Sequence, residues 1–177
     1  MRVVAGDLRG KAIKGPIESS TNIRPTSDRA KEALFSFLKP YPRGSFLDLC
    51  SGTGSIALEA YSRGYKRVVA IDRAAEALEL LRINCGSYPI EVIRHDVLTI
   101  KDLNLGRYDV VFCDPPYECI EQLWTTLRFE MVDLLEEAGL LILESDESFK
   151  PEPISGLNLF KSKKYSRNHF HIFTRNS

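Results

Sequence analysis

Apolar positions along this chain follow two periods in alternation. Residues 46–50 (FLDLC), 67–72 (RVVAID), 90–94 (IEVIR), 108–114 (YDVVFCD) and 139–144 (GLLILE) are short runs, mostly apolar on consecutive residues. That is the pattern of strands covered on both faces. Between them, residues 55–63, 74–84 and 120–135 carry apolar side chains three and four apart, which predicts helices with one buried stripe. Strand–helix alternation implies βαβ crossovers and a mostly parallel sheet, hence an α/β fold. The chain ends differently. Residues 157–162 and 169–174 are strand-like, with only KKYSRN and no helix between them. So short a connection predicts an antiparallel hairpin.

The first forty-odd residues precede this alternation. Residues 2–5 and 11–14 are extended candidates around the turn-rich segment from Gly6 to Gly10, and they predict a small β-hairpin. A helix follows over 28–38, with Ala30, Leu34, Phe37 and Leu38 on one side, Ser27 as its cap, and Pro40 and Pro42 to end it. Residues 1–43 therefore form a hairpin-and-helix extension. Residues 44–177 form the main domain, the two making one compact unit.

Composition narrows the setting. The chain has 177 residues, 44% hydrophobic and 27% charged, which suits one globular domain rather than a disordered or fibrous chain. No apolar stretch approaches the roughly 18 residues of a membrane span, and MRVVAGDLRG lacks the apolar run of a secretory signal. A cytoplasmic protein with no membrane contact is expected, with a monomer as the default. Cys50, Cys85, Cys113 and Cys119 are scattered without a CxxC pair. Cys50 and Cys113 lie in apolar strand runs, where a thiol acts as a small hydrophobe, and no metal site is expected. His169 and His171 share one side of a strand but lack a third ligand, and Trp124 falls in a core stripe.

The zero net charge hides an uneven distribution. Residues 1–43 hold nine Lys/Arg against four Asp/Glu, residues 150–177 six against one, and residues 44–149 nine against nineteen. If folding brings both basic ends to one face, they form a platform for phosphates. Its candidates are Arg2, Arg9, Lys11, Arg24 and Arg29 at one end and Lys163, Lys164 and Arg167 at the other.

Two motifs carry chemistry. The first is the glycine-rich turn Asp48-Leu49-Cys50-Ser51-Gly52-Thr53-Gly54-Ser55 after the first body strand. Its glycines let backbone approach a ligand at a helix N-terminus. Gly52, Gly54 and Ala57 also fit a dinucleotide fingerprint, and Asp72 stands where either cofactor would place a ribose. Asp48 suits the cationic end of S-adenosylmethionine and would oppose a pyrophosphate. Asp96 could accept from an adenine amino group, with apolar Val97 and Leu98 against the ring; an Asp there is equally a turn former. The second motif is Asp114-Pro115-Pro116-Tyr117 after the fourth strand. Asp114 and the Pro115 carbonyl are acceptors for an NH₂ group, and Tyr117 offers a face on which a base can stack. This reads as methyl transfer to an exocyclic amino nitrogen of a nucleic-acid base, by positioning and electrostatics rather than prior deprotonation.

Together these motifs resemble the Rossmann-like class I methyltransferases that modify amino groups. Arg2-Val3-Val4-Ala5-Gly6, Arg9-Gly10, Arg24-Pro25-Thr26-x-Asp28-Arg29 and Lys31-Glu32-Ala33-Leu34-Phe35 narrow the resemblance to the bacterial 16S ribosomal RNA (guanine(966)-N2)-methyltransferase family. It spans essentially the whole chain. The resemblance implies a seven-stranded sheet whose last strand is inserted antiparallel, and an N-terminal hairpin touching RNA. It also implies an Arg-Pro-Thr segment that closes over S-adenosylmethionine and brings Thr26 near the methionine moiety. Arg73, after Asp72, fits the same pattern. The expected partner is 16S rRNA, in a small subunit or an assembly intermediate. Ser166-Arg167-Asn168 stands where the family pattern leads us to expect a glycine-bearing turn. The competing readings are an amino methyltransferase acting on DNA adenine or protein glutamine, a nicotinamide oxidoreductase, and a non-catalytic RNA-binding module.

Overall fold

A computed structural model of the chain describes residues 1–16, 26–165 and 168–176. Arg24, Arg167 and the turn at 166–167 therefore lie outside the described residues. The elements in chain order are α1 (Asp28–Leu38), β1 (Ser45–Leu49), α2 (Ser55–Ser62), β2 (Arg67–Asp72), α3 (Ala75–Cys85), β3 (Ile90–Arg94), β4 (Tyr108–Cys113), α4 (Ile120–Asp133), β5 (Leu135–Ser145), β6 (Leu157–Tyr165) and β7 (Asn168–Arg175). They build one seven-stranded sheet in the order β3-β2-β1-β4-β5-β7-β6. The first five strands are parallel, while β7 runs antiparallel to both β5 and β6. The expected architecture is thus present: a mostly parallel sheet closed by an antiparallel hairpin, with the last strand inserted.

Consecutive side chains on a strand point to opposite faces, and here both faces are covered. Phe46, Ala70, Val110, Phe112, Leu140 and Ile142 pack under α1, α2 and α3. Leu47, Leu49, Val69, Ile71, Val111 and Leu141 pack against α4 and a 3-10 turn at Val97–Asp102. Trp124 belongs to this second layer, as its helical stripe implied, and its indole N–H donates to the Glu152 carbonyl at 3.2 Å.

The extension joins the first layer, with Val3 and Ile13 buried beside α1 residues Ala30, Leu34, Phe35 and Leu38. Ser27 caps α1 as expected, its hydroxyl accepting from Ala30 N at 3.2 Å. The predicted hairpin is reduced to one antiparallel bridge, Arg2 with Ala12, flanked by Val3 N to Lys11 O and Gly10 N to Val3 O, each 2.9 Å. It forms so little ladder because its other backbone groups are committed elsewhere. Fully buried Glu59 on α2 accepts from Val4 N at 2.7 Å and Ala5 N at 3.0 Å, and also from Arg63 Nε at 2.7 Å. Ser62 and Asn84 take Leu8 N and Lys14 N, each at 2.9 Å. Buried Lys31 closes the other side, donating to the Arg2 carbonyl and lying 3.5 Å from Asp28.

On β7, between β5 and β6, His171 is buried between two hydroxyls, Ser145 Oγ at 2.9 Å from Nε2 and Ser162 Oγ at 2.9 Å from Nδ1. His169 stacks on it with ring centroids 4.6 Å apart. Burial, then the charges of His169 and Lys150, lower its pKa to about 4. The unfolded chain therefore binds a proton that the folded chain refuses, and stability is lost as pH falls from about 6.5 towards 4. We expect His171→Asn to flatten this loss, worth about 3 kcal/mol at full extent, in thermal melts across that window. Parallel pH curves for variant and wild type would refute the assignment.

Candidate active site

The strand order sets the tips of β3, β2, β1 and β4 side by side, and ligands bind beyond the carboxyl ends of such strands. A cavity of about 340 Å³ opens there. Thr26, Asp48, Cys50, Ser51, Gly52, Thr53, Asp72, Arg73, Asp96 and Val97 line it, together with Asp114, Pro115, Pro116 and Tyr117. Of the residues expected in the cofactor and catalytic sets, Gly54 alone stands outside the lining.

The glycine-rich turn is built around carboxylates. Gly54, at φ 76°, is the N-cap of α2 and has no side chain to satisfy the first amides. Asp48 does so from β1 instead, its Oδ2 accepting from Ala57 N at 3.1 Å and so placing a carboxyl oxygen at a helix N-terminus. Ser51 Oγ donates to the Asp48 carbonyl at 2.6 Å. Gly52 N donates to Asp72 Oδ2 and Ala74 N to Asp72 Oδ1, both at 2.9 Å, so Asp72 ties two loops together; each oxygen keeps a further lone pair. Cys50 takes the left-handed conformation at φ 59°, which is strained for a side-chain-bearing residue.

Electrostatics set the character of the cavity. Asp48 is buried, and burial drives its pKa well above the ordinary carboxylate range. The Ala57 amide opposes that rise, and the charges of Asp114 and Asp72 add to it. The Cys50 thiol is also pushed well up, first by its hydrogen bond with Cys113 and then by burial, so it stays protonated and is no nucleophile. Asp96 caps the 3-10 turn by accepting from Leu98 N at 3.0 Å and holds Arg73 at 2.8 Å. The Leu98 amide and then the Arg73 guanidinium keep its carboxyl below the usual range against some desolvation. Asp96 is thus the turn former its position allowed and a cavity residue at once.

The second motif leaves β4 with Asp114 N donating to Leu49 O at 3.3 Å, which ties it to the neighbouring β1 tip. Pro115 is buried and Pro116 exposed. The Pro116 carbonyl closes the following turn by accepting from Cys119 N at 2.9 Å. Behind Asp114, buried Glu144 at the end of β5 accepts from the Asn168 side-chain amide. Burial, reinforced by the Asp114 charge, pushes the Glu144 carboxyl well up.

His95, Cys119, Gln122 and Phe112 also line the cavity and were not expected from the sequence. His95 and Cys119 each follow a motif or strand end by only a few residues, a positional signal that could have found them. Gln122 and Phe112 offer none, because their patterns are those of a helix surface and a strand core. Of the basic candidates, Arg2 pairs with Asp28 at 3.2 Å, and Lys11 lies over the Tyr88 ring at 5.3 Å. Arg9, Arg29 and Lys163 are exposed, and Lys164 is engaged by Glu147. Lys163 is in register with Phe170, which places it on the face that carries α1, α2 and α3 and the hairpin. Among the described residues no group of side chains could hold a metal ion, and no helix is long and apolar enough to cross a membrane.

A family model described as "Conserved hypothetical protein 95" matches residues 1–174. The "Ribosomal RNA small subunit methyltransferase D" of Haemophilus influenzae is 38% identical over 125 residues, covering 66% of this chain and 64% of that protein. The protein of the same name from Escherichia coli K12 is 29% identical over 163 residues, covering 89% and 77%. Among solved structures, a hypothetical protein of Thermus thermophilus superposes with a TM-score of 0.81 at 29% identity, over 97% of this chain and 98% of that one.

Gly54 generates a stability prediction. A Cβ there would stand 2.7 Å from Leu81 Cδ2 and 2.8 Å from Cys85 Sγ, on a backbone with φ +76°. The glycine lets α3 approach the turn; it does not face the cavity. Gly54→Ala should cost about 1–3 kcal/mol, read as a lowered urea midpoint with unchanged slope. An unchanged midpoint would contradict this packing role.

Proposed function

The chain belongs to the Conserved hypothetical protein 95 family, and from that premise we propose that it methylates the exocyclic N2 amine of a guanine in small-subunit ribosomal RNA, with S-adenosylmethionine as donor. The relatives named as small-subunit rRNA methyltransferases support the substrate class. The observation that carries the donor is the charge of the cavity. Asp48, Asp72, Asp96, Asp114 and Glu118 face one guanidinium, Arg73, which is already paired with Asp96. A pyrophosphate would meet like charge at that wall, whereas a sulfonium and an ammonium relieve it. The donor set fits this group.

Asp48 and the Cys50–Thr53 turn, with Thr26 above, would hold the methionine end. Asp72 would accept from the ribose hydroxyls with the lone pairs its two backbone bonds leave over. Asp96, with Arg73 fixed beside it, would meet the adenine edge, while Val97 and Leu98 cover the ring. The bound donor supplies an activated methyl group on a positively charged sulfur.

The chain's own work is to present the amine. Asp114 and the Pro115 carbonyl accept from the NH₂ group and so aim its lone pair. The Pro116 carbonyl is committed to the turn and holds that pair of acceptors in place. Tyr117 supplies a stacking face for the base. As the amine becomes cationic on methylation, Asp114 stabilises the developing charge, and the extra proton then passes to water. Glu144, buried behind Asp114, has its carboxyl pushed well up by that burial and by the Asp114 charge.

RNA would be held by Arg9, Lys11 and Arg29 on the extension and by Lys163 and Lys164 on β6, with Arg2, Arg24 and Arg167 completing the basic set. A small subunit or an assembly intermediate is the proposed form of the substrate, and the protein acts as a monomer in the cytoplasm. We expect Asp114→Ala to lower methyl transfer by about 10²–10³-fold while donor affinity stays within a few-fold. Tritiated-methyl transfer to unmodified small subunits, with the product nucleoside identified by mass as N2-methylguanosine, checks this. Wild-type turnover in the variant, or a different methylated nucleoside, would contradict it.

A further inference from the structure

The outer edge of the sheet carries a feature that the site does not use. β6 is an edge strand, yet Leu159 is 50% and Phe160 58% exposed. Its register against β7 slips between Leu159 and Lys161. A bulge of this kind re-aims side chains, and here both Phe160 and Lys161 meet the same ring of α1. Phe160 lies 6.2 Å from Phe37 between centroids, and Lys161 Nζ stands 5.5 Å over the Phe37 ring. The row extends both ways. Tyr41 lies 5.5 Å from Phe37, and towards the other end Lys163 Nζ stands 5.0 Å over Tyr165.

This row begins at the end of the sheet on which the site opens, beyond β5 and β7. Tyr165 pairs with Asn168, whose amide donates to Glu144. Glu144 follows Leu143, the register partner of Cys113, which immediately precedes Asp114. Tyr165, Lys163, Lys161, Phe160, Phe37 and Tyr41 thus form a strip of rings and ammonium groups leading away from the reacting motif.

An exposed apolar edge strand calls for a cover. A second copy is a poor one, because antiparallel pairing of β6 with itself would bring Lys161, Lys163 and Lys164 close to their own equivalents. The charge asks for an anion, and the rings ask for flat apolar faces at intervals. Single-stranded nucleic acid has both, since every base has a stacking face and every link a phosphate. We propose that a single-stranded segment of the RNA substrate runs along this strip, its bases on Phe160 and the neighbouring rings and its phosphates on Lys161 and Lys163. The inference rests on the RNA reading given above and extends it to a surface remote from the methylated base.

The test is fluorescence anisotropy with a labelled oligouridylate of about twelve nucleotides, over a range of salt, set beside a duplex of the same length. Phe160→Ala should weaken single-strand binding on the order of tenfold and leave duplex binding unchanged. Lys161→Ala should make the log–log salt slope shallower by about 0.7. Both positions are exposed, and circular dichroism checks that the fold is kept. Phe129→Ala is the control. Phe129 is 56% exposed on α4, over the opposite layer, with Arg128 5.3 Å from its ring, and its loss should change nothing. Wild-type affinity in both strip variants, no single-strand binding by the wild type, or an equal loss in Phe129→Ala overturns the proposal. Methyl transfer by the wild type to small subunits is scored separately. If it proceeds while the strip variants bind normally, the strip alone fails; if it is absent, the RNA reading fails.

Discussion

Carboxylates gathered at the tips of adjacent parallel strands are the interaction on which the rest of this structure depends. Asp48 is the innermost. It is buried under the glycine-rich turn, where it satisfies the Ala57 amide of α2 and feels the charges of Asp114 and Asp72. Grouping like charges in such a cleft is costly, and it is relieved either by proton uptake, as the raised Asp48 pKa shows, or by a bound cation. The same residues also build the site mechanically. Asp72 ties Gly52 to Ala74, Asp96 caps the turn after β3, and Cys50 is held at positive φ between them. Cavity shape and cavity charge therefore come from one set of side chains, and neither can change without the other.

The second constraint is the attachment of the extension. Glu59, fully buried on α2, gathers two hairpin amides and Arg63, while Lys31 draws the Arg2 carbonyl to α1. Buried charge of this kind is tolerated only when its partners saturate it, as they do here. The result is that the N-terminus of α1 is fixed relative to the sheet and Thr26 reaches the cavity wall. The extension also carries Phe37 and Tyr41 to the edge strand, so one helix serves both the donor cavity and the aromatic strip.

Much of this was legible in the residues because it rests on local rules. Apolar runs marked the strands to within a residue or two, except β6, which runs on to Tyr165 past the run at 157–162, and β5, which begins at Leu135 before the run at 139–144, its register against β4 shifting between Tyr108 and Val110. Aspartates directly after apolar runs mark strand tips, and strand order then gathers them. What escaped depends on long-range packing. Gly54 reads like its neighbour Gly52, and only the approach of Leu81 and Cys85 separates a packing glycine from a ligand-facing one. Glu59 and Lys31 carry no local sign of burial, because their backbone partners lie 55 and 29 residues away. Phe160 sits in a polar strand, and only a register slip turns it and Lys161 to the same ring.

An acidic cleft of this kind favours a cationic donor over a dinucleotide. Titration calorimetry of the full chain with S-adenosylmethionine, its demethylated product and NADH measures this directly. Saturable heat from the sulfonium compound and none from NADH is expected; saturable NADH binding with no heat from the sulfonium compound or its product would overturn the assignment.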